Sequence, residues 1–242
     1  MKDLPLAQYI SQLLGGVQIR MKIKENACVL TVNSLPKVVL LAYLLNGLFR
    51  SPKIIQFELL LTWLKTNGYV DINNLGVDMS DMTKNGWLAG FIDADGSFKI
   101  RTTPEVVKKN IDTGQIITKK RIACSLSIEQ RKESNSVSYL PLMSCIATVL
   151  GATVKVSMHN NIEYFFVTAT SMLQLKKAID YFDRYQLLSS KYLDYCNWKT
   201  AYVLMLDKQH LTEAGVKTIK ELKASMNKKR SVFTWDHLNH TG

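Results

Sequence analysis

Hydrophobic positions along this chain switch between two periods. Over residues 17–24, Val17, Ile19, Met21 and Ile23 alternate with Gln18, Arg20, Lys22 and Lys24. After Glu25-Asn26, Cys28, Leu30 and Val32 alternate with Ala27, Val29 and Thr31. Phe98 and Ile100 oppose Lys99, Arg101 and Thr103, and Ile122, Cys124, Leu126 and Ile128 oppose Arg121, Ala123, Ser125, Ser127 and Glu129. Val154, Val156 and Met158 oppose Thr153, Lys155 and Ser157. A strand so patterned buries one face on helices and leaves the other polar. Elsewhere the period lengthens and predicts helices over 4–14, 35–47, 53–65, 86–96, 137–150, 171–185, 190–206 and 212–225. Residues 66–83, rich in Asn, Gly and Asp, predict a linker. Residues 104–120, with Lys108, Lys109, Lys119 and Lys120, predict a long hairpin loop able to reach a phosphate backbone.

The element string repeats. Leu4-Pro5-Leu6 recurs as Leu140-Pro141-Leu142 and Leu14-Gly15 as Leu150-Gly151, each 136 residues on. Ser51-Pro52-Lys53 has its echo in Ser189-Ser190-Lys191. The second copy is preceded by a helix and a hairpin within 86–139, whereas only three residues precede Leu4. The first copy is therefore expected to lack its opening helix and first two strands.

Composition narrows the partners. Of 242 residues, 47% are hydrophobic and 21% charged, which suits a globular core. Lys and Arg number 31 against 20 Asp and Glu, a formal charge of +11 that favours nucleic acid or an acidic membrane surface. No apolar run reaches the roughly 18 residues of a membrane span, and the opening residues make a weak leader. Cys28, Cys124, Cys145 and Cys196 show no zinc spacing and are expected to be small buried hydrophobes in a reducing compartment. His159, His210, His237 and His240 have no evident catalytic partner. The polar strand faces carry Arg20, Lys22, Lys24, Lys99, Arg101, Arg121 and Lys155, with Ser125 and Ser127 between them. Such ribbons can enter the major groove of DNA and meet phosphates and base edges. The basic run Met226-Asn227-Lys228-Lys229-Arg230 reads equally as a solvated terminus or a nucleic-acid contact.

The most informative segment is Gly86-Trp87-Leu88-Ala89-Gly90-Phe91-Ile92-Asp93-Ala94-Asp95-Gly96-Ser97-Phe98. Ala89, Gly90 and Ala94 leave room for a second backbone, and Gly96 suits a left-handed helix stop. Asp93 and Asp95 are two apart and cannot share a helix face. A carboxylate at a helix C-terminus is opposed by the macrodipole unless a cation sits beside it, and a hard divalent ion would serve.

Residues 88–96 resemble the signature of the LAGLIDADG homing endonucleases, matching at eight of nine positions with Phe91 replacing Leu. The resemblance implies an α+β fold of two αββαββα repeats with saddle-shaped antiparallel sheets, the N-terminal repeat here incomplete. It divides the chain into a truncated half (1–65), a linker (66–83), a complete half (84–206) and a basic helical extension (207–242). It implies site-specific hydrolysis of double-stranded DNA for intron homing, with Mg2+. Asp95 and the Ala94 carbonyl would hold the metal, Gln130 would order water, and Lys191 and its counterpart Lys53 would support the charge. The family pairs two such helices, so a second chain or an upstream segment is expected to supply the other. A mitochondrial setting follows from the same resemblance. An RNA-binding maturase for the host intron, or a non-catalytic nucleic-acid-binding protein, would use the same scaffold.

Overall fold

The computed structural model describes residues 2–103, 106–109, 116–119, 121–134 and 136–240. The N-terminal part runs α1 (Leu4–Leu13), β1 (Gln18–Lys22), β2 (Ala27–Thr31), α2 (Leu35–Leu45) and α3 (Ile54–Thr66). Then come α4 (Trp87–Asp95), β3 (Gly96–Thr102), β4 (Val106–Lys109), β5 (Ile116–Lys119) and β6 (Ile122–Arg131). The chain continues through β7 (Glu133–Ser134), β8 (Val137–Ser138), α5 (Leu140–Leu150), β9 (Val154–His159) and β10 (Ile162–Ala169). It closes with α6 (Met172–Arg184), α7 (Lys191–Leu206) and α8 (Glu213–Ala224).

Local chemistry sets the helix ends. Proline occupies the first turn of α1, α2 and α5, where its missing N–H costs nothing. Ser171 and Gln174 cap α6 reciprocally, and Gly151 ends α5 in the left-handed conformation.

The main sheet is antiparallel in the order β3-β6-β10-β9. Its register sets Phe98 opposite Leu126, Ile100 opposite Cys124 and Val167 opposite Ile128, all buried. These apolar residues pack on α5, α6 and α7, where Phe98 meets the rings of Phe182, Tyr195 and Trp198 at 5.2–5.8 Å between centroids. A smaller core around Ala42, Phe57, Leu61, Leu64 and Ile72 serves the N-terminal part.

The structure corrects several expectations. Among the described residues β1 and β2 form a two-stranded sheet, as the repeat predicts for the first copy, but its inward face differs. Ile23 and Lys24 fall in a 3-10 turn, and Ile23 is 83% exposed, so the inward face predicted for Met21 and Ile23 is not buried. Val156 and Met158 are also exposed, because β9 is the edge strand. Residues 137–138 pair with β7 instead of opening the helix, which starts at Leu140. The predicted loop at 104–120 holds the paired strands β4 and β5, while Lys120 lies outside the described residues. Of the cysteines only Cys124 is buried; Cys145 is exposed. The linker is packed: Ile72 is buried, and Asp78 pairs with Arg50 at 2.7 Å with both side chains largely shielded. Gly96 is extended, and its requirement is steric, since a Cβ there would sit 2.6 Å from Ile92 Cγ2 and 2.9 Å from the Ile92 carbonyl.

Candidate active site

The site is built around α4. Tyr181 seats its N-terminus by donating to the Asn85 carbonyl at 2.7 Å and accepting from Ala89 N at 3.3 Å. Trp87 Nε1 donates to the Leu48 carbonyl at 2.9 Å, tying the helix to the N-terminal part. Leu88, Ala89 and Ile92 face the core.

At the other end the two aspartates diverge, as their spacing requires. Asp93 turns inward and accepts from Leu188 N at 2.6 Å, Ser189 N at 3.2 Å and Ser189 Oγ at 2.5 Å. Burial pushes its pKa above the ordinary carboxylate value, against the lowering effect of those donors. These bonds hold the turn that begins α7 and so place Lys191. The Lys191 ammonium donates to the Ile92 carbonyl at 2.9 Å and lies 3.4 Å from the Ala94 carbonyl. It thus lies against the last carbonyls of α4, of which that of Ile92 also accepts from Gly96 N. Burial pulls its pKa down, opposed by the nearby Asp93 and Asp95 carboxylates.

Asp95 turns outward. Its side chain is exposed, accepts from Gln130 Nε2 at 2.8 Å and takes part in no ion pair among the described residues. Gln130 lies opposite Phe165, near the end of β6, which brings its amide back to α4. Asp95, Gln130, Ala94 and Lys53 all line one cavity of about 670 Å³ with Gly90, Phe91 and Tyr139. Burial raises the Tyr139 hydroxyl pKa, and the Asp95 charge adds to the effect. Lys53 is exposed, so its charge reaches the cavity from the N-terminal part.

Asp95 and Ala94 offer hard oxygens, the donor type a magnesium-class ion takes. The Ala94 carbonyl already faces the Lys191 ammonium. Among the described residues no three His, Cys, Asp or Glu side chains converge on one ion. Asp95 therefore fits as one anchor of a metal site completed by water, phosphate and a second acid.

The polar face of the main sheet adjoins this site. Strand register aligns Ser97, Lys99 and Arg101 with Ser127, Ser125 and Ala123, and Phe166 with Lys155 and Glu129. Lys99, Arg101, Arg121 and Lys155 are exposed, and Ser125 and Ser127 half-buried among them. In the N-terminal sheet Arg20 is exposed, but Lys22 pairs with Glu25 at 3.0 Å and Lys24 sits in the turn. Sequence reading missed Tyr164, Phe166 and Arg131, which share the polar face; the alternation of 162–169 would have found the first two, and continuing that of 121–129 to 131 the third. Glu129, which the alternation placed on that face, accepts from Ser157 at 2.6 Å and meets His159 Nε2 at 3.0 Å. The Ser157 bond leads in holding its carboxyl below the usual range.

The small-residue face of α4 is open. Gly90 and Ala94 are exposed, and a Cβ on Gly90 would meet nothing within 4 Å. Gly90→Ala is therefore expected to stabilise the chain by roughly 0.5–1 kcal/mol, the helix-propensity gain. Urea unfolding checks this; a loss of stability would show that Gly90 is already packed against a partner.

Comparison with known proteins agrees with this geometry. Residues 88–202 match the family model of the LAGLIDADG endonucleases, and the chain belongs to that family. The chain is 30% identical over 233 residues to a Schizosaccharomyces pombe protein described as an uncharacterized cox1 intron-2 37.2 kDa protein, covering 90% of this chain and 62% of that one. It is 38% identical over 95 residues to a probable intron-encoded DNA endonuclease aI1 of Mycosarcoma maydis, covering 39% of this chain and 78% of the relative. The fold is that of the LAGLIDADG homing endonuclease I-GzeII, solved in complex with its DNA target, with a TM-score of 0.71, 17% identity, and coverage of 96% of this chain and 87% of that chain.

Proposed function

We propose that this chain is the DNA-cutting part of an intron-encoded homing endonuclease that hydrolyses phosphodiester bonds in double-stranded DNA with Mg2+. The observation that carries the reading is the placement of Asp95. Its carboxylate is exposed at the end of the signature helix, oriented by Gln130 at 2.8 Å, beside a polar sheet face bearing lysines and arginines.

The working division is a first half at 1–65, a linker at 66–83, a second half carrying the signature helix at 84–206 and an extension at 207–242. Lys99, Arg101, Arg121 and Lys155 grip phosphates and guanine edges, with Ser125 and Ser127 as adaptable donors and acceptors. Arg20, Lys22 and Lys24 contribute from the smaller sheet, Lys22 least because Glu25 holds it. A divalent ion bound by Asp95 and the Ala94 carbonyl would supply charge neutralisation and activation of water. Gln130 orients Asp95, and Lys191 and Lys53 offset negative charge that builds on the scissile phosphate.

The open face of α4 receives a second helix of the same type, from another segment or another chain. Gly90, Phe91 and Ala94 on one wall and Leu45, Leu48 and Phe49 on the other are its seat. The cox1-intron relative supports a mitochondrial setting. A splicing role on host intron RNA is the second reading, since the exposed Lys99, Arg101, Arg121 and Lys155 would meet RNA phosphates equally well.

The test is binding and nicking of a duplex spanning the intron-insertion junction. The logarithm of affinity should fall linearly with the logarithm of salt, with slope about −0.9 per phosphate contacted, and nicking should require a divalent ion. A flat salt response, or nicking that persists in EDTA, contradicts the reading. Binding of intron RNA without any nicking would favour the splicing role.

A further inference from the structure

The C-terminal segment does more than trail from the fold. β3 is an edge strand, and residues 223–230 cover its free edge. Lys223 donates to Thr102 Oγ1 at 2.8 Å, Asn227 Nδ2 donates to the Phe98 carbonyl at 3.1 Å, and Asn227 N donates to Asp194 at 3.1 Å. Arg230 is pinned to the same Asp194 at 2.9 Å, both side chains about nine-tenths buried. The segment is thereby fixed as a wall, and the family match, which ends at residue 202, does not include it.

Between this wall and the N-terminal part lies a cleft of about 970 Å³. Lys2, Lys99, Lys228 and Lys229 line it, and Phe233 adds an aromatic face. Arg230 also lines it, and one amino nitrogen of its guanidinium, Nη2, is buried without a hydrogen-bond partner. The one carboxylate on its lining, Asp194, is already neutralised by Arg230. A buried donor without an acceptor beside several lysines calls for an anionic oxygen. Lysines along a groove together with an aromatic stacking platform are what an unpaired nucleic-acid strand requires.

We infer that this cleft binds an unpaired nucleic-acid strand, with Lys228, Lys229 and Arg230 on its phosphates and Phe233 stacked on a base. The cleft adjoins the duplex-binding face of the sheet, shares Lys99 with it, and is walled off from the rest of that face by the C-terminal segment.

The probes are labelled short oligo(dT), oligo(rU) and a random-sequence duplex, read by fluorescence anisotropy on the full chain across a salt series. Lys228→Ala/Lys229→Ala is expected to weaken single-strand binding about tenfold and to reduce the salt slope by about 1.4, two phosphates at about 0.7 each. Phe233→Ala is expected to weaken it about tenfold with the slope unchanged, as loss of stacking does. Arg101→Ala/Arg121→Ala, on the sheet face, should weaken duplex binding and leave oligo(dT) within about twofold of wild type. Equal affinity for oligo(dT) and oligo(rU) assigns the site to the shared phosphate and base chemistry, and preference for oligo(rU) assigns it to RNA. The inference is overturned if folded variants bind both single strands as wild type does, or if the tail variants weaken duplex and single strand alike. None of these readouts depends on cutting, so they stand apart from the nuclease reading.

Discussion

Asp95→Asn is expected to reduce metal-dependent nicking of the cognate duplex at least about a thousandfold, since it removes the negative charge at the reacting phosphate. Duplex affinity should stay within about threefold, because the phosphate contacts lie on the sheet face. The substitution suits the test because an asparagine oxygen can still accept from Gln130 Nε2, so the local fold persists. Nicking assays at saturating protein separate the two effects. A variant that nicks like the parent removes Asp95 from the chemistry and leaves a basic scaffold of inherited shape.

Asp93→Ala is expected to have the largest effect on stability, about 2–4 kcal/mol. It strips the acceptor from Leu188 N, Ser189 N and Ser189 Oγ, and each part-buried donor left unpaired costs roughly 1–3 kcal/mol before water compensates. The turn before α7 then loosens, so Lys191 loses its fixed reach to the Ile92 carbonyl, and nicking should fall even where the variant remains folded. Denaturant unfolding, with nicking measured well below the midpoint, checks both effects. A loss under about 0.5 kcal/mol would show that the turn holds itself.

The pH dependence of the same residue has a definite sign. Burial raises the Asp93 pKa above the ordinary carboxylate value, so the folded state holds that proton more tightly than the unfolded state. Its contribution is fully present below the unfolded pKa and is lost as pH rises through the higher folded value. The stability of wild type relative to Asp93→Asn should therefore increase as pH falls through that window. An opposite trend would mean that the three donors outweigh burial.

The complete half was legible because alternation and burial coincide there. Phe98, Ile100, Cys124, Leu126 and Ile128 alternate in sequence and are all buried in the structure. They lie on strands whose inner face is covered by helices, the condition under which a period of two reports burial. The same pattern misled over 17–24, where Met21 on β1 is exposed and Ile23 falls in the 3-10 turn that follows it. Asp95 stood out because its neighbours form a recognisable string. The role of Asp93 did not, because its partners Leu188 and Ser189 lie nearly a hundred residues away and only the fold brings them together. The glycine at 96 was legible as a constraint but not as its cause, which is the Ile92 side chain. The docking of 223–230 on the β3 edge had no sequence signal, since a basic run looks the same whether solvated or seated.

The most direct test of the account is where a metal sits when DNA is bound. Crystals of the chain with a duplex spanning the intron-insertion junction, soaked in Mn2+, would show the ion by its anomalous scattering. The account predicts a peak about 2 Å from an Asp95 carboxylate oxygen, with the scissile phosphate on its other side. An ion held elsewhere, with Asp95 remote from every phosphate, would contradict it.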